Sequence, residues 1–151
     1  MDRVRRSFIV TAAALCVLPA LAAPAAKRIR LRISSDGDEM AFKPTHLTCP
    51  TGAEVSLSFH HAGDISSDPH NWVLLKPGTL TAFLADADKN EDDNVVVPPQ
   101  ARDMVLAATP MCKRHQTVTI TFVAPAPGDY PFVCSVPGHG ETMQGILTVT
   151  G

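Results

Sequence analysis

The ten residues Cys134-Ser135-Val136-Pro137-Gly138-His139-Gly140-Glu141-Thr142-Met143 bring a thiol, an imidazole and a thioether together at the spacing Cys-x4-His-x3-Met. All three are soft or borderline metal donors. Tyr130, Phe132 and Cys134 alternate with Pro131 and Val133, so the sequence predicts a strand that ends at Cys134 with its sulfur turned inward. Pro137-Gly138 then turns the chain, which brings His139 back over the strand end, and Met143 opens the returning strand. A fourth donor must come from elsewhere. His70 is the candidate, because Pro69-His70-Asn71-Trp72 opens another strand and alternation puts His70 and Trp72 on its inward side. Two imidazoles and a thiolate in a trigonal set, with a weak axial thioether, are the donors of an electron-transfer copper site, here one copper per chain.

Other chemistries use these residues less completely. A Cys134 nucleophile with His139 as its base leaves His70 and Met143 idle. Structural zinc favours several thiolates or imidazoles and seldom takes a thioether. A protein that stores or delivers copper without redox cycling would use the same four residues but would need no rigid surroundings. Asn71, Trp72 and the Pro137-Gly138 turn argue for rigidity. Four protein donors leave no open position for a small-molecule substrate, so the reading is an electron carrier and not an enzyme. His46, His60 and His115 read as surface or internally satisfied histidines, and Met40, Met104 and Met111 as packing residues.

The positioning elements are strands. Arg28-Ile29-Arg30-Leu31-Arg32-Ile33 alternates charged with apolar residues, as a strand with one wet face must. Further strand-like runs cover Phe42 to Thr48, Val55 to His61, Asn71 to Leu75, Asp103 to Ala107, Thr117 to Val123, Tyr130 to Cys134 and Gly145 to Thr150. Turn formers separate them, and the chain holds 13 prolines. The pattern predicts an all-β fold, a two-sheet antiparallel Greek-key sandwich of seven to eight strands. Leu80 to Asn90 is the one helix-like stretch, a short flap lying across one sheet.

At the N-terminus Met1-Asp2-Arg3-Val4-Arg5-Arg6, an apolar run from Phe8 to Leu21, and Ala22-Ala23 form a secretory leader cleaved at residue 22, or as late as 26. Arg5-Arg6 also resembles a twin-arginine signal, so both export routes stay open. Cys16 belongs to this leader. A single domain, residues 27–151, follows, with no stable membrane anchor expected. Beyond residue 22 stand ten Lys and Arg against fourteen Asp and Glu, a net charge of −4, which gives no footprint for nucleic acid. An oxidising export compartment favours a Cys49–Cys112 disulfide. The two flank strands that run in opposite senses relative to the metal end and are expected at opposite poles, so the pairing stays open, with free or intermolecular thiols favoured.

From about Phe42 to Gly151 the sequence resembles the azurin and auracyanin branch of the cupredoxins. His70-Asn71-Trp72-Val73-Leu74 resembles that family's first-histidine strand. Tyr130 to Cys134, Pro137-Gly138-His139 and Met143-x-Gly145-x-Leu147-x-Val149 resemble its C-terminal ligand loop. The resemblance implies type 1 (blue) copper held by His70, Cys134, His139 and Met143, with Asn71 tying the first-histidine strand to the cysteine loop. His61-Ala62-Gly63 resembles the position of a partly buried, proton-linked histidine. Azurins carry glycine where Pro69 stands, which puts a weak axial carbonyl in doubt. The implied work is shuttling single electrons between redox protein partners in the periplasm or another exported setting. Electrons are expected to pass the edge of His139 within an apolar patch of Val136, Pro137 and Gly138, extended by Pro98-Pro99. The acidic run Asp86, Asp88, Glu91, Asp92 and Asp93 reads as a solvated loop or a steering patch for a basic partner.

Overall fold

The computed structural model describes residues 27–65, 68–92 and 94–151. The leader, Cys16 and Asp93 lie outside them. Nine strands and one α-helix follow in the order β1 (Arg28–Asp36), β2 (Glu39–Lys43), β3 (His46–Pro50), β4 (Glu54–His60), β5 (Val73–Leu75), α1 (Leu80–Ala87), a 3-10 helix (Pro99–Met104), β6 (Val105–Ala108), β7 (Thr117–Val123), β8 (Gly128–Val133) and β9 (Gln144–Thr150). They form two sheets, β2-β1-β4-β7 and β3-β9-β8-β5-β6.

The sandwich stands, but its sheets are mixed, not purely antiparallel. β1 runs parallel to β4 and β3 parallel to β9. The predicted run Phe42 to Thr48 is in fact two strands. Pro44 cannot donate to a ladder, and there the chain leaves β2 in one sheet and enters β3 in the other. That crossover adds a strand: β2 pairs antiparallel with β1, and β3 pairs parallel with β9.

Alternation works as expected in the first sheet. In β4, Val55, Leu57 and Phe59 are buried while Ser56 and Ser58 are partly open. Phe42 packs edge-on against Phe59 and Phe132, joining the two sheets. The second sheet is covered on both faces. α1 and the 3-10 helix lay Phe83, Ala87 and Ala101 on the outer side of Val73, Leu75 and Val133, a second core. Both faces of β5 are therefore apolar, Val73-Leu74-Leu75, and no alternation remains to read.

Candidate metal centre

β8, β9, β5 and β4 all bring an end to one pole of the sandwich. Cys134 follows the last residue of β8, fully buried, and its N–H donates to the Met143 carbonyl at 3.0 Å. Val136 to His139 form a turn closed by His139 N–H to Val136 C=O, 3.0 Å. Pro137 presets its first corner, and Gly138, at φ +77°, takes the left-handed corner that side chains resist. His139 then accepts the Met143 N–H on its carbonyl, 2.9 Å, which folds Met143 back beneath it. Met143 is buried.

His70 lies three residues before β5, not inside it. Two backbone bonds with Cys112, 3.0 and 2.7 Å, hold it as an isolated bridge. Sequence reading gave Cys112 no such task. Thr109 accepts the next N–H, that of Trp72, on its hydroxyl.

Three donor atoms converge here. Nδ1 of His70 and Nδ1 of His139 are 3.2 Å apart, and each is 4.0 Å from Cys134 Sγ. A trigonal ion with bonds of ~2.0 Å to nitrogen and ~2.3 Å to sulfur separates its nitrogens by ~3.5 Å and each nitrogen from sulfur by ~3.7 Å. The cluster fits one such ion, and all three side chains are buried. Burial pushes the Cys134 thiol up to about 11, against the pull of the Asn71 and Val136 N–H groups. Burial, then the charges of His61 and His139, push His70 down to about 4, with Asp68 acting in the opposite sense. The metal-free pocket thus holds a neutral His70 and a neutral thiol.

The surrounding bonds fix these donors. Asn71 Oδ1 accepts the Ser135 N–H at 2.8 Å, and its Nδ2 donates to Ser135 Oγ, also at 2.8 Å. Ser135 Oγ donates onward to the Val96 carbonyl. Asp88, just past α1, accepts the Gly138 N–H at 3.0 Å, so the flap grips the ligand turn. Gly140 lies against Leu84 of α1 and Val133, where a Cβ has no room. Sequence reading gave Asp88 only a place in the acidic run and Gly140 no task, since each acts through a distant partner.

The comparisons with known proteins agree with this geometry. The sequence model of copper binding proteins of the plastocyanin/azurin family matches residues 29–150. The chain belongs to that family. It is 35% identical over 122 residues to auracyanin-A of Chloroflexus aurantiacus, covering 80% of this chain and 74% of that protein. To azurin iso-2 of a Methylomonas species it is 30% identical over 120 residues, covering 75% and 92%. Among solved structures it superposes on auracyanin A, described as a "blue" copper protein, with a TM-score of 0.72 and 33% identity over 82% of this chain and 99% of the other. Reduced auracyanin from Roseiflexus castenholzii gives 0.70 at 33% identity, over 85% and 100%.

As a plastocyanin/azurin-family protein, the chain binds copper and carries electrons, with one His-Cys-His cluster for the metal. Other sequence readings need adjustment. Val136 is only 4% exposed and packs in the main core, because the turn points its side chain inward; it contributes no outer patch. Pro98 is buried as well, whereas Pro99 and Gly138 are exposed. His139 shows 7% of its surface, with Nε2 4.0 Å from Asp68 Oδ2. His61 is fully buried and stacks on His70, ring centroids 4.5 Å apart. Its Nδ1 accepts the Gly63 N–H and its Nε2 donates to the Asp68 carbonyl, so both ring nitrogens have partners. Met40, 47% exposed, is no packing residue, while Met111 and Met104 do join the two cores. All three cysteines among the described residues are free and buried. Cys49, paired with Val149 late in β9, lies at the pole away from Cys112.

Proposed function

We propose that this domain is an exported one-electron carrier in which His70, Cys134, His139 and Met143 would hold copper. The observation that carries the reading is the convergence of one sulfur and two Nδ1 atoms in a buried pocket. Copper in such a donor set cycles between Cu(I) and Cu(II) with little rearrangement. The chain's part is to keep the donors still. The Asn71–Ser135 pair, the His70–Cys112 bridge and the Asp88–Gly138 bond hold three separate segments in register. A protein that hands copper on would gain nothing from this rigidity.

Every donor is buried, so no coordination position opens to a substrate, and the domain acts on other redox proteins instead of catalysing a reaction. His139 is the donor next to the exposed turn, and electrons pass at its edge, beside Pro137, Gly138 and Pro99. That small surface suits brief contacts with redox partners. The basic and apolar leader supports export, and among the described residues no helix is long and apolar enough to cross a membrane.

The test is the visible spectrum of the copper-loaded protein. An intense thiolate-to-Cu(II) band that vanishes on reduction and in Cys134→Ser is expected. A colourless Cu(II) complex, or a band that survives Cys134→Ser, defeats the proposal.

A further inference from the structure

The outer face of the β2-β1-β4-β7 sheet has a composition that copper binding does not use. Alternation places Arg28, Arg30 and Arg32 in one exposed row along β1. The parallel register sets Glu54, Ser56 and Ser58 of β4 directly beside them, in that order. Beyond β4, β7 sets Thr121 opposite Ser56 and Thr119 opposite Ser58. Lys43 of β2 stands opposite Ser34, next along the row. The face is thus a line of cations flanked by hydroxyl groups, of which Ser58 and Thr119 share a bond of 2.9 Å.

Its acidic residues sit only at the ends. Glu54 pairs with Arg28 at 3.2 Å and Asp36 with Lys43 at 3.1 Å, with Glu39 near that same end. Between them Arg30 and Arg32 face serines, and among the described residues neither has a carboxylate within ion-pair distance. Two clefts lie along this row. One, of about 420 Å³, is lined by Arg32, Lys43, His60 and Thr117. The other, of about 530 Å³, is lined by Arg30, Ser56 and Thr121.

The rest of the domain carries the opposite sign. Five of the ten Lys and Arg after residue 22 fall between Lys27 and Lys43, while Asp86, Asp88, Glu91 and Asp92 follow one another on the flap that covers the other sheet. A net-acidic protein with its cations gathered on one extended face is oriented by an anionic surface and held off it in other orientations.

We propose that this sheet face docks the protein reversibly on a membrane of anionic phospholipid, with Arg30 and Arg32 taking headgroup phosphates and the Ser/Thr rows donating to the same oxygens. Guanidinium groups pair with phosphate in bidentate fashion, and an extended row engages several headgroups at once. The consequence for electron transfer is directional. β4 runs along the row and ends at His60, beside the His61 ring that stacks on His70. Docked on this face, the strands lie along the bilayer and the metal pole points sideways within the membrane plane, toward membrane-held redox partners. That consequence rests on the proposed electron-carrier role; the docking itself requires no copper.

Co-sedimentation with vesicles tests it. The exported protein should pellet at low salt with vesicles of phosphatidylglycerol and phosphatidylcholine, not with phosphatidylcholine alone, and sodium chloride should release it. Each lost arginine should lower partitioning roughly fivefold, so Arg30→Gln with Arg32→Gln should cost roughly 25-fold. Lys76→Gln with Arg102→Gln removes the same charge from the other side and should change partitioning less than roughly twofold. Unchanged colour and melting temperature verify that each variant is folded. The proposal is overturned if anionic vesicles fail to pellet the protein, or if the two double variants behave alike. Selective release by inorganic phosphate at constant ionic strength would also overturn it, in favour of a small-anion site.

Discussion

The two sheets of the sandwich solve different problems. The β2-β1-β4-β7 sheet buries one face and wets the other, so each strand alternates. The β3-β9-β8-β5-β6 sheet, which leads into Cys134 and follows His70 and Met143, is covered by α1 on its far side, and its central strands are apolar on both faces. The donor positions therefore rest on the more completely packed half. Rigidity at the metal comes from sealing the sheet behind it as much as from bonds around it.

Removing the seal should produce the largest effect. Phe83 is fully buried between α1 and the sheet, so Phe83→Ala should cost ~3–5 kcal/mol in chemical denaturation. Thr119→Ala, on the open face of the first sheet, should stay within ~0.5 kcal/mol. Equal losses at both positions would erase the contrast between the sheets. Next comes Gly140→Ala, which forces a methyl between Leu84 and Val133. It should cost ~1–3 kcal/mol and broaden the visible band, because the overpacked residue directly follows His139 and stands three before Met143.

A smaller effect comes from pH. His70 in the copper-free fold sits at about 4, below its ordinary 6.5. As pH falls below 6.5 the unfolded chain takes up a proton that the fold refuses until about 4, so the His70 contribution should lower the stability of copper-free protein across that window and level off below it. Thermal melts of metal-free protein should show this slope, and His70→Ala should flatten it. The slightest change in stability should follow Met143→Leu, a near-isosteric swap in a buried site. Copper and colour should persist while voltammetry shows a higher reduction potential, since loss of a weak axial donor disfavours Cu(II).

The same contrast explains what could be read in advance. β1 declared itself through Arg28 to Ile33, and β7 followed in the same way, because solvent on one face leaves a two-residue period. Cys134 and His139, which the fold brings together, were legible because they sit five positions apart with a Pro-Gly turn between them. The parallel pairings were not legible. Nothing local to β1 or β3 records the direction of a neighbour, which depends on the chain changing sheets at Pro44. Val136 looked like surface because it adjoins an exposed turn, yet the turn rotates it into the core. Cys112 serves through a backbone bridge that carries no residue-type signature, and the Asp88 carboxylate accepts from Gly138, 50 positions away, where the sequence shows only one more acidic residue in a run.

His70 and Cys134 meet across 64 positions of sequence, whereas His139 and Met143 follow Cys134 on one short loop. A metal joining them is therefore a cross-link as well as a redox centre. It closes a ring that contains β5, α1, the 3-10 helix, β6, β7 and β8, more than half of the described elements. By the chain-entropy relation for a ring of that size, the tie withdraws ~4 kcal/mol of freedom from the denatured chain. The local loop can seize an ion while the chain is still open, but only the distant imidazole converts that capture into a clasp around the fold.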